Sequence, residues 1–98
     1  NELSPAGKGI PKEYGMAQNY PNPFNPTTEI KYSLPEDQHV SLLVLNTLGQ
    51  VVAQLVNGSE PAGYKTISFD ASRLPSGVYF YTLVSGNTRI QKKMVLLK

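Results

Sequence analysis

The sequence VYFYTLVSGNTRIQKKMVLL, residues 78–97, decides the fold class of this chain of 98 residues. The part before the Ser85-Gly86-Asn87 turn is rich in β-branched and aromatic side chains, which favour strands. Its alternation places Tyr79, Tyr81 and Leu83 on one face, which we expect to point into a core. Apolar and basic residues follow the turn as a last strand. The stretch therefore predicts an antiparallel hairpin.

Segments upstream of this hairpin repeat the strand signature. Ile30, Tyr32 and Leu34 alternate with polar residues, including Ser33, which we expect on the opposite face. Residues 40–45 are apolar on nearly both faces, which is typical of a central strand. Further strands are predicted at 51–56 and at 64–69, the latter with Ile67 and Phe69 inward.

Turn signals separate these strands at intervals of about 8–12 residues. They lie at residues 35–38, 46–49 and 57–58, where Asn57-Gly58 predicts a tight turn with positive φ, and residues 60–63 lengthen that last loop. No segment has a helical period. The pattern predicts an all-β, antiparallel, immunoglobulin-like β-sandwich of about seven strands, with six strands from residue 27 onward and an irregular edge strand around 18–24.

The connection ahead of residue 78 contains a second structural signal. Asp70 is placed to cap a turn, with one helical turn as an option. The sequence LPSGVY, residues 74–79, fits a tyrosine corner, in which the Tyr79 hydroxyl bonds back to the preceding loop. The alternative is that Tyr79 is a plain core residue.

The first part of the chain has a different composition. Residues 1–17 contain three Gly, two Pro and scattered charge, which predicts a linker to a missing upstream domain, and residues 18–98 form the predicted domain. In the sequence NYPNPFNP, residues 19–26, three prolines remove backbone donors and exclude a helix. We expect this segment at a sheet edge, with Tyr20 and Phe24 as apolar pegs.

The composition excludes several classes of site. The chain has no Cys and one His, which removes disulfides, thiolate chemistry and multi-histidine metal clusters. No apolar run approaches the roughly 18 residues of a membrane-spanning helix, and residues 1–17 have no charged-then-apolar leader, which we expect at the far end of the missing upstream domain. Residues 71–98 carry five basic and no acidic residues. Nucleic acid or anionic lipid is one partner for such a charge, but a solvated strand edge explains it better, since residues 85–98 lack aromatic side chains for stacking.

Candidate catalytic groups have ordinary structural explanations. His39 and Asp37 lie in one turn without a nucleophile elbow, and Glu36 with Asp37 lacks the spaced ligands of a calcium site. Six tyrosines form a carbohydrate platform only if several are exposed on one face, whereas we expect Tyr32 and others in the core. We therefore predict no catalytic residue, no metal site and no cofactor, and a chain that is not an enzyme.

Five motifs in order carry a family resemblance. They are NYPNPFNPTT at 19–28, LGQ at 48–50, PAG at 61–63, FDASRLPSGVYFYTL at 69–83 and KMVLLK at 93–98. Together they resemble the C-terminal sorting domain, of type A, of the type IX (Por) secretion system, over about residues 18–98. The pattern is also similar to that of the related immunoglobulin-like domain of flagellar hook-capping proteins.

The resemblance implies a non-catalytic address on exported proteins of Gram-negative bacteria. Such domains direct an upstream cargo in the same chain through the periplasm and the outer-membrane machinery to the cell surface or beyond. A sortase-like cysteine peptidase usually removes the domain, and the family places that cut in the linker, here within residues 1–18. The expected partners are that machinery, the peptidase and the cargo, with no nucleic acid and no transmembrane segment.

The resemblance also implies two residue sets. The residues expected to be recognised by the machinery are Gly77, Tyr79, Lys93, Met94, Val95, Leu96, Leu97 and Lys98. The motif residues expected to be structural are Tyr20, Pro21, Asn22, Pro23, Phe24, Asn25, Pro26, Gly49 and Gly63. The last strand either adds to an exposed strand edge in a receptor or merely closes the sheet, and both roles are compatible.

Two other functions remain open on the sequence alone. One is a carbohydrate-binding module of a secreted hydrolase, which needs a row of exposed aromatic side chains. The other is a purely structural immunoglobulin-like accessory module.

Overall fold

The computed structural model describes residues 10–98, which form seven strands in two antiparallel sheets and no helix. The strands are β1 (Gly15–Met16), β2 (Thr27–Leu34), β3 (Gln38–Leu45), β4 (Val51–Glu60), β5 (Gly63–Asp70), β6 (Gly77–Ser85) and β7 (Thr88–Leu96). One sheet has the order β1-β2-β5 and the other β4-β3-β6-β7. This arrangement confirms the predicted all-β sandwich of seven strands.

The core lies between the two sheets and follows the predicted alternation. On β2, Ile30, Tyr32 and Leu34 are buried, and on β6 the buried residues are Tyr79, Tyr81 and Leu83. The other buried apolar residues are Met16, Phe24, Val40, Leu42, Val44, Phe69, Ala71, Met94 and Leu96. Because side chains alternate across a strand, one apolar face of each sheet is enough to build this core.

The predicted turn at Asn57-Gly58 is wrong. The register pairs Gly58 with Val40 and continues to Glu60 opposite Gln38, so β4 runs through both residues. From Leu42 opposite Val56 to Gln38 opposite Glu60 the ladder keeps one register, and the Asn-Gly pair does not interrupt it. The ladder ends before Pro61, which has no backbone N–H to donate.

The tyrosine corner is confirmed. The Tyr79 hydroxyl donates a hydrogen bond of 2.6 Å to the carbonyl oxygen of Pro75, four residues upstream. In the same connection the Ser72 amide donates to Asp70 Oδ1 at 2.9 Å. The Leu74 amide donates to the Ala71 carbonyl at 3.0 Å, so Asp70 caps a turn and the helical option is not used.

Residues 18–26, here called the crossover segment, connect the edges of the two sheets. Tyr20 exchanges two backbone hydrogen bonds with Glu29 of β2, at 3.0 and 2.9 Å. Phe24 then forms a parallel bridge with Leu96 of β7. The expected edge position is confirmed, although the segment makes isolated bridges and the seventh strand, β1, lies just before it.

Two side-chain predictions near this segment are wrong, whereas Phe24 is buried as predicted. Tyr20 is 81% exposed, since its backbone pairs with β2 while its ring points away from the core. Ser33 is buried although it was expected on the outer face, because its hydroxyl donates to the Glu13 carbonyl at 3.1 Å beside β1.

The structure describes the predicted linker, residues 1–17, only from residue 10 onward. Residues 1–9 lie outside the described part of the chain. Within the remainder, Pro11 and Met16 are buried, and Met16 pairs with Tyr32 of β2. The boundary at residues 17 and 18 stays a prediction.

Replacing Tyr79 with Phe tests the tyrosine corner. The change keeps the buried ring and removes the bond to Pro75, so we expect the free energy of unfolding to fall by about 1 kcal/mol. Urea denaturation measures it, with Tyr20→Phe as the matched control at an exposed ring. Equal stability of both variants would show that the corner contributes nothing.

Candidate functional site

The terminal strand β7 is one of the two edge strands of its sheet, with β4 at the opposite edge. Its inner edge pairs with β6, and the register places Gly77 opposite Leu96 and Tyr79 opposite Met94. The structure therefore makes the predicted recognition residues of the two strands neighbours.

The side chains of this predicted set divide by accessibility. Those in the core belong to Tyr79, Met94 and Leu96. Those facing solvent belong to Lys93, Leu97 and Lys98, and Val95 is half-buried. A receptor that meets the folded domain from outside touches the second group, whereas the first group holds the strand in place.

The crossover segment occupies the outer edge of β7 near its end. The Phe24 amide donates to the Val95 carbonyl at 2.9 Å, and the Leu97 amide donates to the Phe24 carbonyl at 3.0 Å. The Val95 amide donates to Asn22 Oδ1 at 3.0 Å, and Gln18 Nε2 donates to the Lys93 carbonyl at 2.7 Å. This part of β7 therefore already has edge partners, and a receptor strand can add here only after the segment has moved.

A buried polar cluster anchors the start of the crossover segment. The Asn19 amide donates to the Tyr81 hydroxyl at 2.8 Å, and that hydroxyl donates to the Ala17 carbonyl at 3.1 Å. The Asn19 side chain donates to Thr28 Oγ1 at 3.0 Å and to the Pro21 carbonyl at 3.1 Å. Since these groups are bonded, burial of Asn19 and Thr28 leaves no orphaned polar group in the cluster.

Two buried tyrosine hydroxyls have raised pKa values. Burial raises the pKa of Tyr81 to about 12, against the lowering effect of the hydrogen bond from the Asn19 amide. Burial also raises the pKa of Tyr32 to about 12, and the negative charge of Glu60 and its hydrogen bond of 3.3 Å add to the shift. Both phenols therefore stay neutral well above physiological pH.

The end of the chain is attached to the loop between β5 and β6. The Lys98 amide donates to Ser76 Oγ at 3.0 Å, and Lys98 Nζ donates to the Ser72 carbonyl at 2.6 Å. Leu97, between these contacts and β7, is 54% exposed. The last residues thus present Leu97 and the Lys98 backbone at a defined place on the surface.

The titratable residues that the sequence offered as candidates for catalysis or metal binding are exposed on the protein surface. His39 is exposed on β3, beside a shallow depression lined by Asp37, Ser59 and Glu60. Among residues 10–98, no three His, Asp or Glu side chains are grouped to hold a metal ion. The same part of the chain contains no helix long and apolar enough to cross a membrane.

A carbohydrate-binding module needs a row of exposed aromatic side chains, and the three tyrosines that we expected in the core do not supply one. Tyr32, Tyr79 and Tyr81 are buried, each with its hydroxyl in a hydrogen bond to the protein. Their burial counts against the carbohydrate-binding alternative.

Asn22 was predicted as a structural motif residue, but the contacts of the polar residues that hold the crossover segment were not predicted from the sequence. Gln18, Asn19 and Asn22 were not assigned contacts, although asparagine beside proline is a common sign of side-chain bonding to the backbone. The partners of the Gln18 and Asn22 side chains, Lys93 and Val95, lie 75 and 73 residues further along the chain, which a local pattern does not reveal.

Comparison with known proteins gives one family. A family model described as the secretion system C-terminal sorting domain matches residues 18–97. A search of the curated proteins found no match.

Replacing Asn22 with Ala tests the bonded edge of β7. The Val95 amide loses its acceptor, so we expect its protection from hydrogen exchange to fall about tenfold, while the Met94 amide keeps its protection. Nuclear magnetic resonance measures both amides, with Asn87→Ala in the exposed hairpin turn as the control. Unchanged protection at Val95 would contradict the bond to Asn22.

Raising the pH above 10 tests the two buried phenols. An unfolded tyrosine loses its proton near pH 10, whereas Tyr32 and Tyr81 keep theirs to about pH 12. The unfolded state then binds fewer protons, so the stability contribution present below pH 10 is lost as the pH rises through about 12.

Denaturation midpoints measured from pH 9 to 12 record this loss. We expect Tyr81→Phe to reduce the slope of stability against pH relative to that of the wild type. A wild-type slope in Tyr81→Phe would contradict the assignment.

Proposed function

The chain belongs to the type IX secretion system C-terminal sorting domain family, and from this premise we propose that it directs an attached upstream cargo through that system. A sorting signal of this family implies export to the cell surface or the extracellular space. Domains of the family are generally non-catalytic. The proposed route runs through the periplasm and the outer-membrane machinery to the surface of a Gram-negative cell.

The observation that carries the proposal is the ordered end of the chain. β7 is held on one edge by β6 and on the other by the crossover segment, and Lys98 is bonded to the preceding loop. We propose that the machinery recognises this rigid end by shape and charge. Lys93, Leu97 and Lys98 supply the outward contacts, and Val95 supplies a partial one.

The buried members of the predicted set support recognition indirectly. Tyr79 attaches the start of β6 to Pro75, and Met94 and Leu96 seat β7 in the core. Gly77 starts β6 opposite Leu96. In the proposal these four residues are positioning residues for the exposed end.

Removal by a sortase-like peptidase is the second part of the proposal, with the cut expected within residues 1–18. A peptidase needs an extended substrate segment that is free of strand partners. Met16, however, is paired with Tyr32, and the Ala17 amide donates to the Lys31 carbonyl at 2.8 Å. We therefore propose that the bond cut lies ahead of β1.

A reporter fusion tests the proposed function. Residues 1–98 are placed behind a periplasm-directed fluorescent protein in a host that has the type IX machinery. We expect the reporter at the surface or in the medium, and N-terminal sequencing of the detached domain gives the bond cut. A reporter that stays in the periplasm would refute the proposal.

Two variants test the terminal strand in this assay, and the second separates recognition from folding. Deletion of residues 94–98 removes core side chains together with exposed ones, and we expect it to block export. Leu97→Ser changes an exposed residue, so we expect export to fall about tenfold while the thermal midpoint stays unchanged. Ile10→Ser, at a residue that is 62% exposed near the start of the described chain, is the control. Normal export of both terminal variants would remove the terminal strand from recognition.

A further inference from the structure

The turn between β3 and β4 is unusually well fixed. Asn46 Oδ1 accepts hydrogen bonds from the amides of Leu48, at 2.9 Å, and of Gln50, at 3.0 Å. The Asn46 side chain also donates to Gln50 Oε1 at 2.8 Å, and the Gly49 amide donates to the Asn46 carbonyl at 3.0 Å. Gly49 has φ of 83°, a conformation that glycine adopts without strain. The turn therefore has one defined shape before any partner binds.

This fixed turn presents apolar side chains to solvent. Leu48 at its tip is 80% exposed, and Val51 just after it is 55% exposed. Turn tips are normally polar, and neither residue belongs to the core. A rigid, exposed leucine is the kind of anchor that binds a partner with little loss of conformational entropy.

A groove of about 280 Å³ lies beside the turn on the outer face of the four-stranded sheet. Leu45 and Phe80 are its apolar residues, and Arg89 and Gln91 of β7 line the side away from the turn. Arg89 is the one charged side chain among the lining residues, and no carboxylate lines the groove within the described chain. An apolar side chain followed by a carboxylate fits this lining.

The surrounding sheet has the same sign of charge. β3, β6 and β7 contain no Asp or Glu, and β7 contributes Arg89 and Lys93 to the outer face. The acid of β4, Glu60, accepts a bond from the Tyr32 hydroxyl toward the other sheet. The outer face therefore attracts an acidic partner and repels a basic one.

The groove is continuous with the exposed end of the chain. In the register of the sheet, Leu45 is opposite Phe80, and Phe80 is opposite Lys93. These three residues lie on the face opposite the buried Tyr79 and Tyr81, since side chains alternate across each strand. The turn, the groove and Lys93 thus form one surface.

We propose that this surface is a docking site for an acidic protein segment. Leu48 enters an apolar pocket of the partner, an apolar side chain of the partner fills the groove over Phe80, and its carboxylate pairs with Arg89. The inference rests on the proposed function, because the partner assigned is a component of the secretion machinery. It adds a second contact region to the terminal residues.

The reporter fusion tests this surface with paired variants. We expect Leu48→Ser and Arg89→Glu each to lower export at least about tenfold, which is the loss typical of an interface anchor. Arg89→Lys keeps the charge, so it retains more export than Arg89→Glu. The matched controls are Ile10→Ser for an exposed apolar residue and Lys31→Glu for an exposed cation of the other sheet, and both are expected to be exported normally.

Folding is checked on the same variants. Leu48 and Arg89 are exposed, so circular dichroism and the thermal midpoint are expected to match those of the wild-type domain. Normal export of folded Leu48→Ser and Arg89→Glu, with an exported wild type, would overturn this inference alone. A wild-type reporter that stays in the periplasm would overturn the proposed function and this inference with it.

Photo-crosslinking identifies what covers the surface. With Leu48 replaced by p-benzoylphenylalanine in the full fusion, we expect a crosslink to an outer-membrane protein of the machinery, mapped to a segment that contains Asp or Glu. Arg89→Glu is expected to abolish that crosslink. Crosslinks confined to a second copy of the chain, to the cargo or to lipid would each overturn the proposal.

Discussion

The hydrogen bonds of the crossover segment are the constraint on which the rest of the structure depends. A two-sheet sandwich has open edges, and unpaired edge groups invite association with other strands. Here Tyr20 pairs with Glu29 on one sheet, and Phe24 pairs on both sides of Leu96 on the other. Prolines between these points have no amide to satisfy, which suits a segment that crosses between edges and does not continue a ladder. One short stretch thereby joins β2 of one sheet to β7 of the other.

Buried tyrosines complete the connection without disulfides or metal ligands. The Tyr81 hydroxyl bonds to Ala17 and Asn19 at the start of the crossover segment, and the Tyr79 hydroxyl bonds to Pro75 in the loop that also binds Lys98. Each ring adds apolar area to the core and uses its hydroxyl to fix backbone. The result is a fold in which buried hydroxyls of β6 fix backbone segments on both sides of the core.

The sequence correctly predicted features that depend on neighbouring residues and failed where the deciding contact joins residues far apart in the chain. Ile30 and Leu34 were placed correctly because alternation along one strand is a local property. The Asn57-Gly58 turn was wrong because pairing with β3 extends β4 past a dipeptide that favours turns. The prediction that Tyr20 packs as an apolar peg was wrong, because composition shows an apolar side chain but not which way a proline-rich segment turns it. The predicted recognition set contains residues of both environments, since Leu97 is exposed whereas Met94 is core.

By itself the sequence determined the all-β class, the strand order along the chain and, through its ordered motifs, the sorting-domain family. Only the tertiary structure decided which residues face outward at the chain end, that β7 is bonded along its outer edge, and that Leu48 stands beside a groove lined by Arg89. The physical reason is distance along the chain: Asn22 and Val95 are 73 residues apart, and their hydrogen bond exists only once both sheets have formed. Periodicity along the sequence predicts which face of a strand is buried, whereas the tertiary fold determines which segment pairs with the edge of a sheet.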